Sequence, residues 1–224
     1  MVQRFRATHD VQMMSVISTD KGLLTPSNGV LIFIDHQAPM LSRLTAGERA
    51  AVLQNVAILA KVATIFEVPA IITTIRAPGF GGHVVEQLAN ALPDCVFVER
   101  TSLNAWDCEP LVAAVRATGR RNLILAALWS DVCLAMPALQ ALTDGYGVYA
   151  VENASAGTSP AAHAAAIRRV EQAGAVSLTA LQLLLELQRD CAWTEHFGEV
   201  MAVVAQVCPA EAPASSVQQS PIYP

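Results

Sequence analysis

What this 224-residue chain lacks narrows its function before any motif is read. Charge is scarce: Asp, Glu, Lys and Arg make up 15% of the residues, and 14 basic side chains face 19 acidic ones. A net charge of −5 without a basic run offers no positive face to a phosphate backbone, so nucleic acid is not an expected partner. No apolar stretch approaches the ~18 residues that span a bilayer, so no membrane partner is expected either. The early segment "VQMMSVIS" is shorter than most signal-peptide cores and leads into "TDKG" without a cleavage site. The five cysteines are odd in number and form no Cys-x-x-Cys pair, which does not describe a disulfide framework. The cytoplasm is therefore the expected location. His9, His36, His83, His163 and His196 show no paired ligand spacing, and no metal is expected. "GFGGH" at 79–83 does not open a helix as G-x-G-x-x-G, so no dinucleotide or other cofactor is expected.

What is present is apolar. Hydrophobic residues reach 53% and the mean hydropathy is +0.40, which calls for a large core, surface buried between subunits, or both. A homo-oligomer is the expectation, and the length suits one α/β domain.

Residues 1–28 read as an arm or irregular lead-in, 29–208 as the domain, and the Pro/Ser/Ala-rich stretch from Pro209 to Pro224 as a tail. Within the domain, "GVLIFIDH" (29–36) is an apolar run ending in charge, as in a strand buried on both faces. Thr45 and Glu48 form a capping-box pattern at the head of a long helix. Further strands fall at 69–76, 95–100, 121–128 (the most apolar, expected centrally), 147–153 and 175–180. Between and after them the pattern predicts helices, at 84–92, 107–119, 131–144, 159–174, from Leu181 and over 195–207. Six strands alternating with helices predict a three-layer α/β/α sandwich around a mostly parallel sheet, because parallel strands need crossover connections. In such folds ligands gather beyond the carboxyl ends of the strands.

Three strand exits carry potential chemistry. Asp35 ends the first strand, Arg100 ends the third, and Cys133 follows the fourth in "LWSDVC". A thiol in the first turn of a helix meets unpaired N–H groups and the positive end of the dipole, which lower its pKa and favour the thiolate. Each residue also has an ordinary reading: a buried inert cysteine, a helix-capping aspartate, a salt-bridging arginine.

The segments "VLIFIDHQAPML", "TSLNAWDCEPLVAAVRATGRRNLILAALWSDVCLAMPALQAL" and "GYGVYAVENASAG" resemble the isochorismatase-like superfamily of cysteine hydrolases, and within it the YcaC-like bacterial branch. The resemblance runs over roughly residues 27–195 and implies a six-stranded parallel sheet between helices, a Rossmann-like arrangement. It implies a catalytic triad of Asp35, Arg100 and Cys133, with arginine where most members carry lysine. It also implies a cis peptide at Leu128–Trp129, an oxyanion hole from the N–H groups of Trp129 and Cys133, and assembly as a tetramer or octamer. The chain departs from the common Gly-Val-x-Thr before the nucleophile, having Ala127, Leu128, Trp129 and Ser130 instead. Phe80, Asn104, Trp106 and Trp129 are the candidate substrate-binding residues, although Asn104 can equally cap a turn and Trp106 pack on a helix. The expected function is cysteine-dependent hydrolysis of a small amide-like substrate through a thioester. Two alternatives stay open: a non-catalytic small-molecule binding or assembly protein, and a redox-sensing thiol protein.

Overall fold

Strands buried on both faces have nowhere to place polar side chains, and the two central strands here carry none beyond Asn122 at the half-buried start of one. The computed structural model describes residues 22–78 and 82–208. In it β1 (Gly29–Ile34) is buried at all six positions. Its alternation divides two apolar layers: Leu31 and Phe33 enter one core, Val30, Ile32 and Ile34 the other. β4 (Asn122–Ala127) lies beside it in parallel, from Gly29 opposite Asn122 to Ile34 opposite Ala127. With β2 (Ala70–Ile75), β3 (Val96–Arg100), β5 (Gly147–Val151) and β6 (Val176–Leu178), these strands form one parallel sheet in the order β3-β2-β1-β4-β5-β6. The chain runs outward from β1 to β3, then returns to β4 and runs outward the other way. The β1–β4 junction is thus the switch point at which open α/β sheets hold ligands. The most apolar strand is central, as expected.

Eight helices cover the faces of the described residues: α1 (Ala38–Leu41), α2 (Ala46–Ile65), α3 (Glu86–Ala91), α4 (Glu109–Ala117), α5 (Ala135–Thr143), α6 (Pro160–Gln172), α7 (Ala180–Gln188) and α8 (Phe197–Val207). The first core takes its α-helical residues from α1, α2, α3, α7 and α8, the second from α4, α5 and α6. Thr45 caps α2 through a reciprocal box with Glu48. Pro110 sits in the first turn of α4, where its missing N–H costs nothing, and Gly119 follows the helix with φ +68°. None of these helices is long and apolar enough to cross a membrane.

The end of the irregular lead-in packs on the domain: Leu24 is fully buried, its N–H donates to Glu186, and its carbonyl accepts from Arg189. One expectation needs correction. The helix predicted over 131–144 is two pieces, a π-helical turn at Ser130–Leu134 followed by α5. Pro137 supplies no N–H for the Cys133 carbonyl, so a regular α-helix cannot run through this segment. Most of the lead-in (1–21) and the tail (209–224) lie outside the described residues.

Candidate active site

Asp35 leaves β1 with φ +59°, a left-handed conformation that aspartate tolerates better than most residues. Its N–H still continues the sheet, donating to Thr73 at 2.9 Å, while its side chain is wholly buried. Arg100 is the last residue of β3, and alternation puts it on the same face as buried Val98. From there its guanidinium passes the end of β2, and Nη2 donates to Asp35 Oδ2 at 2.5 Å. Nη1 donates to the Ser102 carbonyl. Neither side chain of this pair is more than 1% exposed.

Cys133 comes to the same place from β4. It is 2% exposed, and its thiol lies close enough to the Asp35 carboxylate for that charge to act on it. Asp35 Oδ1 has no hydrogen-bond partner among the described residues, so the carboxylate retains accepting capacity toward the thiol. Three residues separated by 33 to 98 positions in the chain therefore meet at the switch point of the sheet.

The electrostatics differ from the sequence-based expectation. The Cys133 thiol is not pulled down; it is pushed up to about 12, first by burial and then by the neighbouring Asp35 charge, with Arg100 opposing. Asp35 is also held above its ordinary value of 3.8, because burial outweighs the attraction of Arg100. The expected thiolate at a helix start fails because burial and the Asp35 charge outweigh Arg100 and the local backbone. The turn is π-helical, and the carbonyl of Trp129 accepts from the N–H groups of Val132, Cys133 and Leu134 at 3.1, 2.7 and 3.4 Å. The resting pair is a neutral thiol beside a carboxylate whose basicity is raised.

The Leu128–Trp129 peptide is cis. The Cys133 N–H, expected as an oxyanion donor, is committed to Trp129 O. The Trp129 ring is partly buried, with the Arg43 guanidinium 5.9 Å from its centroid. Asn104 and Trp106 use their polar groups within the protein. Asn104 caps a 3₁₀ turn by accepting from Trp106 N–H and donates to Gln140. Trp106 is buried in the second core, with its indole N–H donating to Asp144 at 2.8 Å. Phe80 lies outside the described residues. Among the described residues no group of three potential ligands is placed to hold a metal ion.

Sequence reasoning passed over Gln37. It is 1% exposed, donates to the carbonyls of Ile75 and Gly82, and accepts from Ile75 N–H, so it ties the β1 exit to the β2 exit. A polar residue directly after a buried strand end was the available signal.

The isochorismatase domain model matches residues 29–182. The chain belongs to the isochorismatase-like hydrolase family. Within that family it falls in the YcaC-like branch. The "Probable hydrolase YcaC" of Escherichia coli (strain K12) is 36% identical over 168 residues, covering 75% of this chain and 81% of that protein. A YcaC from Pseudomonas aeruginosa, solved with hexane-2,5-diol and covalent acrylamide, superposes with a TM-score of 0.73 at 32% identity. That match covers 83% of this chain and 97% of the other. The E. coli YcaC gene product, described as an octameric hydrolase of unknown specificity, gives a TM-score of 0.73 at 32% identity over 83% of this chain and 96% of that one. The family members share this chain's six-stranded sheet with helices on both sides.

Proposed function

We propose that this isochorismatase-family chain is a cysteine-dependent hydrolase of a small amide-like substrate, with Asp35, Arg100 and Cys133 as its catalytic group. The observation that carries the reading is one buried carboxylate bonded to the Arg100 guanidinium, with the buried Cys133 thiol near enough to feel its charge.

Because the thiol rests protonated, proton removal accompanies attack. Asp35 takes the thiol proton as Sγ bonds to the amide carbon and the carbonyl electrons move onto oxygen. When the tetrahedral species collapses, the C–N bond breaks and the leaving amine takes the proton from Asp35, leaving a thioester. Asp35 then deprotonates water as it attacks that thioester, and the departing sulfur recovers the proton. The raised Asp35 pKa suits this role, since it narrows the gap to the thiol. Arg100 cannot shuttle protons, because guanidinium stays charged. It holds the carboxylate in place and partly offsets the cost of its burial. The oxyanion is assigned to the N–H groups of Trp129 and Cys133, the second shared with Trp129 O; a donor of this kind typically contributes ~3–4 kcal/mol.

Covalent acrylamide in the P. aeruginosa relative supports a small, electrophile-accepting site on this fold. The octameric E. coli relative, together with half-exposed Phe97, Val96 and Trp193 here, supports a homo-oligomer.

Iodoacetamide labelling with peptide mass analysis tests the nucleophile. Cys133 is expected to label with parallel loss of turnover across a panel of small amides, and Cys133→Ala to lose about a thousandfold or more. Full activity after complete labelling at Cys133 would sink the mechanism. No turnover by the intact protein on any amide would favour the binding-protein alternative, for which the burial of the thiol speaks.

A further inference from the structure

The Asp35–Arg100–Cys133 group leaves a polar pair beside the nucleophile unused. Ser130, three residues before Cys133, is wholly buried, and its Oγ lies 2.8 Å from Nδ1 of His163 at the start of α6. The Ser130 N–H donates to Ala156 O at 2.8 Å. Asp131 accepts from the N–H and hydroxyl of Thr158 at 2.9 and 2.8 Å. The first two residues of the π turn are thus pinned to the segment leading into α6. That approach is close enough to require Gly157: a Cβ there would come within 2.6 Å of the His163 backbone nitrogen and 3.0 Å of Asp131 Oδ1. His163 itself is half-buried and lines a cavity of about 450 Å³ together with Glu48, Asn55, Glu152 and Thr179.

We propose that His163 is a positioning residue for Cys133: by holding the Ser130 hydroxyl it fixes the π turn that aims the thiol at Asp35. This rests on the reading of Cys133 as the nucleophile. When the ring is neutral with its proton on Nε2, the Ser130 hydroxyl donates its hydrogen bond to Nδ1. When the ring is protonated, Nδ1–H must donate instead, and the buried hydroxyl has to turn its hydrogen elsewhere. Burial keeps the ring's pKa below its ordinary 6.5, against the opposing charges of Glu152 and Asp131. Glu48, across the cavity, is the remaining ionisable lining group. The neutral state therefore prevails near pH 7, with the turn held in one arrangement.

The test is the rate of Cys133 alkylation by iodoacetamide, followed by peptide mass analysis from pH 5 to 9, a range set by histidine titration. His163→Ala is expected to slow alkylation roughly tenfold or more, since a small displacement at a reacting group costs about that much. His163→Asn, whose side-chain amide takes the place of Nδ1, restores most of the rate; His163→Gln does not. Ser130→Ala slows it similarly, and the double variant is no slower than either single one. The wild type shows an inflection below pH 6.5 that His163→Asn lacks. Wild-type rates in His163→Ala, equal losses in the Ala, Asn and Gln variants, or additive losses in the double variant would overturn the proposal. Thermal midpoints check folding, and Ser130→Ala, which removes one oxygen, keeps the test open if His163→Ala unfolds. Alkylation reads the thiol without turnover, so failure of this inference is distinguishable from failure of the hydrolase reading.

Discussion

Glu99 and Arg100 are neighbours on β3, and each forms an arginine–carboxylate pair, yet the two pairs belong to different physical worlds. Glu99 points outward to Arg76 at 3.5 Å, with side chains 52% and 78% exposed. Arg100 points inward to Asp35 at 2.5 Å, with side chains 1% and 0% exposed. The pleat alone separates them, since successive side chains on a strand point to opposite faces. Outside, water and salt screen the attraction and the pair contributes about 0–1 kcal/mol. Inside, both charges have lost their hydration, and removing one partner strands the other. The same pairing chemistry decorates one face of an edge strand and anchors the candidate site on the other.

The largest expected effect comes from breaking the inner pair. Arg100→Ala leaves a buried carboxylate without its cation and is expected to destabilise the fold by ~3–5 kcal/mol in urea unfolding. Turnover should fall steeply as well, because Asp35 then takes up a proton and ceases to be a base for the thiol. Arg100→Lys keeps the charge but lacks the two-pronged geometry that serves Asp35 and the Ser102 carbonyl together, so it should recover only part of both losses. If Arg100→Ala proves as mild as a surface substitution, the inner pair is no anchor and the contrast collapses.

A pH series sharpens the comparison with a smaller effect. Cys133 has a folded pKa raised from 9.0 to about 12, so the protonated thiol is favoured by folding. Its contribution to stability is fully present below pH 9 and is lost as pH rises toward 12. Wild-type protein should therefore lose more stability across that window than Cys133→Ala, with urea midpoints as the measure. Activity has the opposite edge. Asp35 must be ionised to act as a base, and its raised pKa places the acid limb of kcat/KM above pH 3.8. An acid limb at or below that value would mean that Asp35 is not the titrating base. Replacing Glu99 should leave both edges in place.

These contrasts also mark how far the residues alone could be read. The parallel sheet was legible because β1 and β4 are apolar on both faces, a pattern that only a sheet covered on both sides explains. The capping box at Thr45 and the stop at Gly119 were legible because their chemistry is local. Asp35, Arg100 and Cys133 stood out as polar residues at strand exits, and the family resemblance joined them; their convergence depends on strand order, which no local signal encodes. The π turn at Ser130–Leu134 escaped although Pro137 was there to be read, an interior proline in the helix expected over 131–144 that withholds its N–H from the Cys133 carbonyl. The depressed thiol pKa failed because burial is a tertiary property, and here it outweighs the helix end. Asn104 and Trp106 read as pocket residues from their place after β3, but their polar atoms are used within the protein, by Gln140 and Asp144.

The smallest expected effect lies on the outer pair. Glu99→Ala removes a carboxylate that is half in water and separated from Arg76 by 3.5 Å, a length at which the exchange with hydration leaves little net gain. The expected change in unfolding free energy is within ~0.5 kcal/mol, and turnover should stay within about twofold, because the inner face of β3 is untouched. Yet β3 is an edge strand that exposes half of Val96 and of Phe97, and a charge on such an edge discourages unwanted strand pairing. The variant should therefore differ from wild type in light-scattering measurements of association at raised protein concentration before it differs in urea unfolding. A loss above ~1 kcal/mol in Glu99→Ala would show that the outer pair is structural too, and that burial is not what distinguishes the two faces of β3.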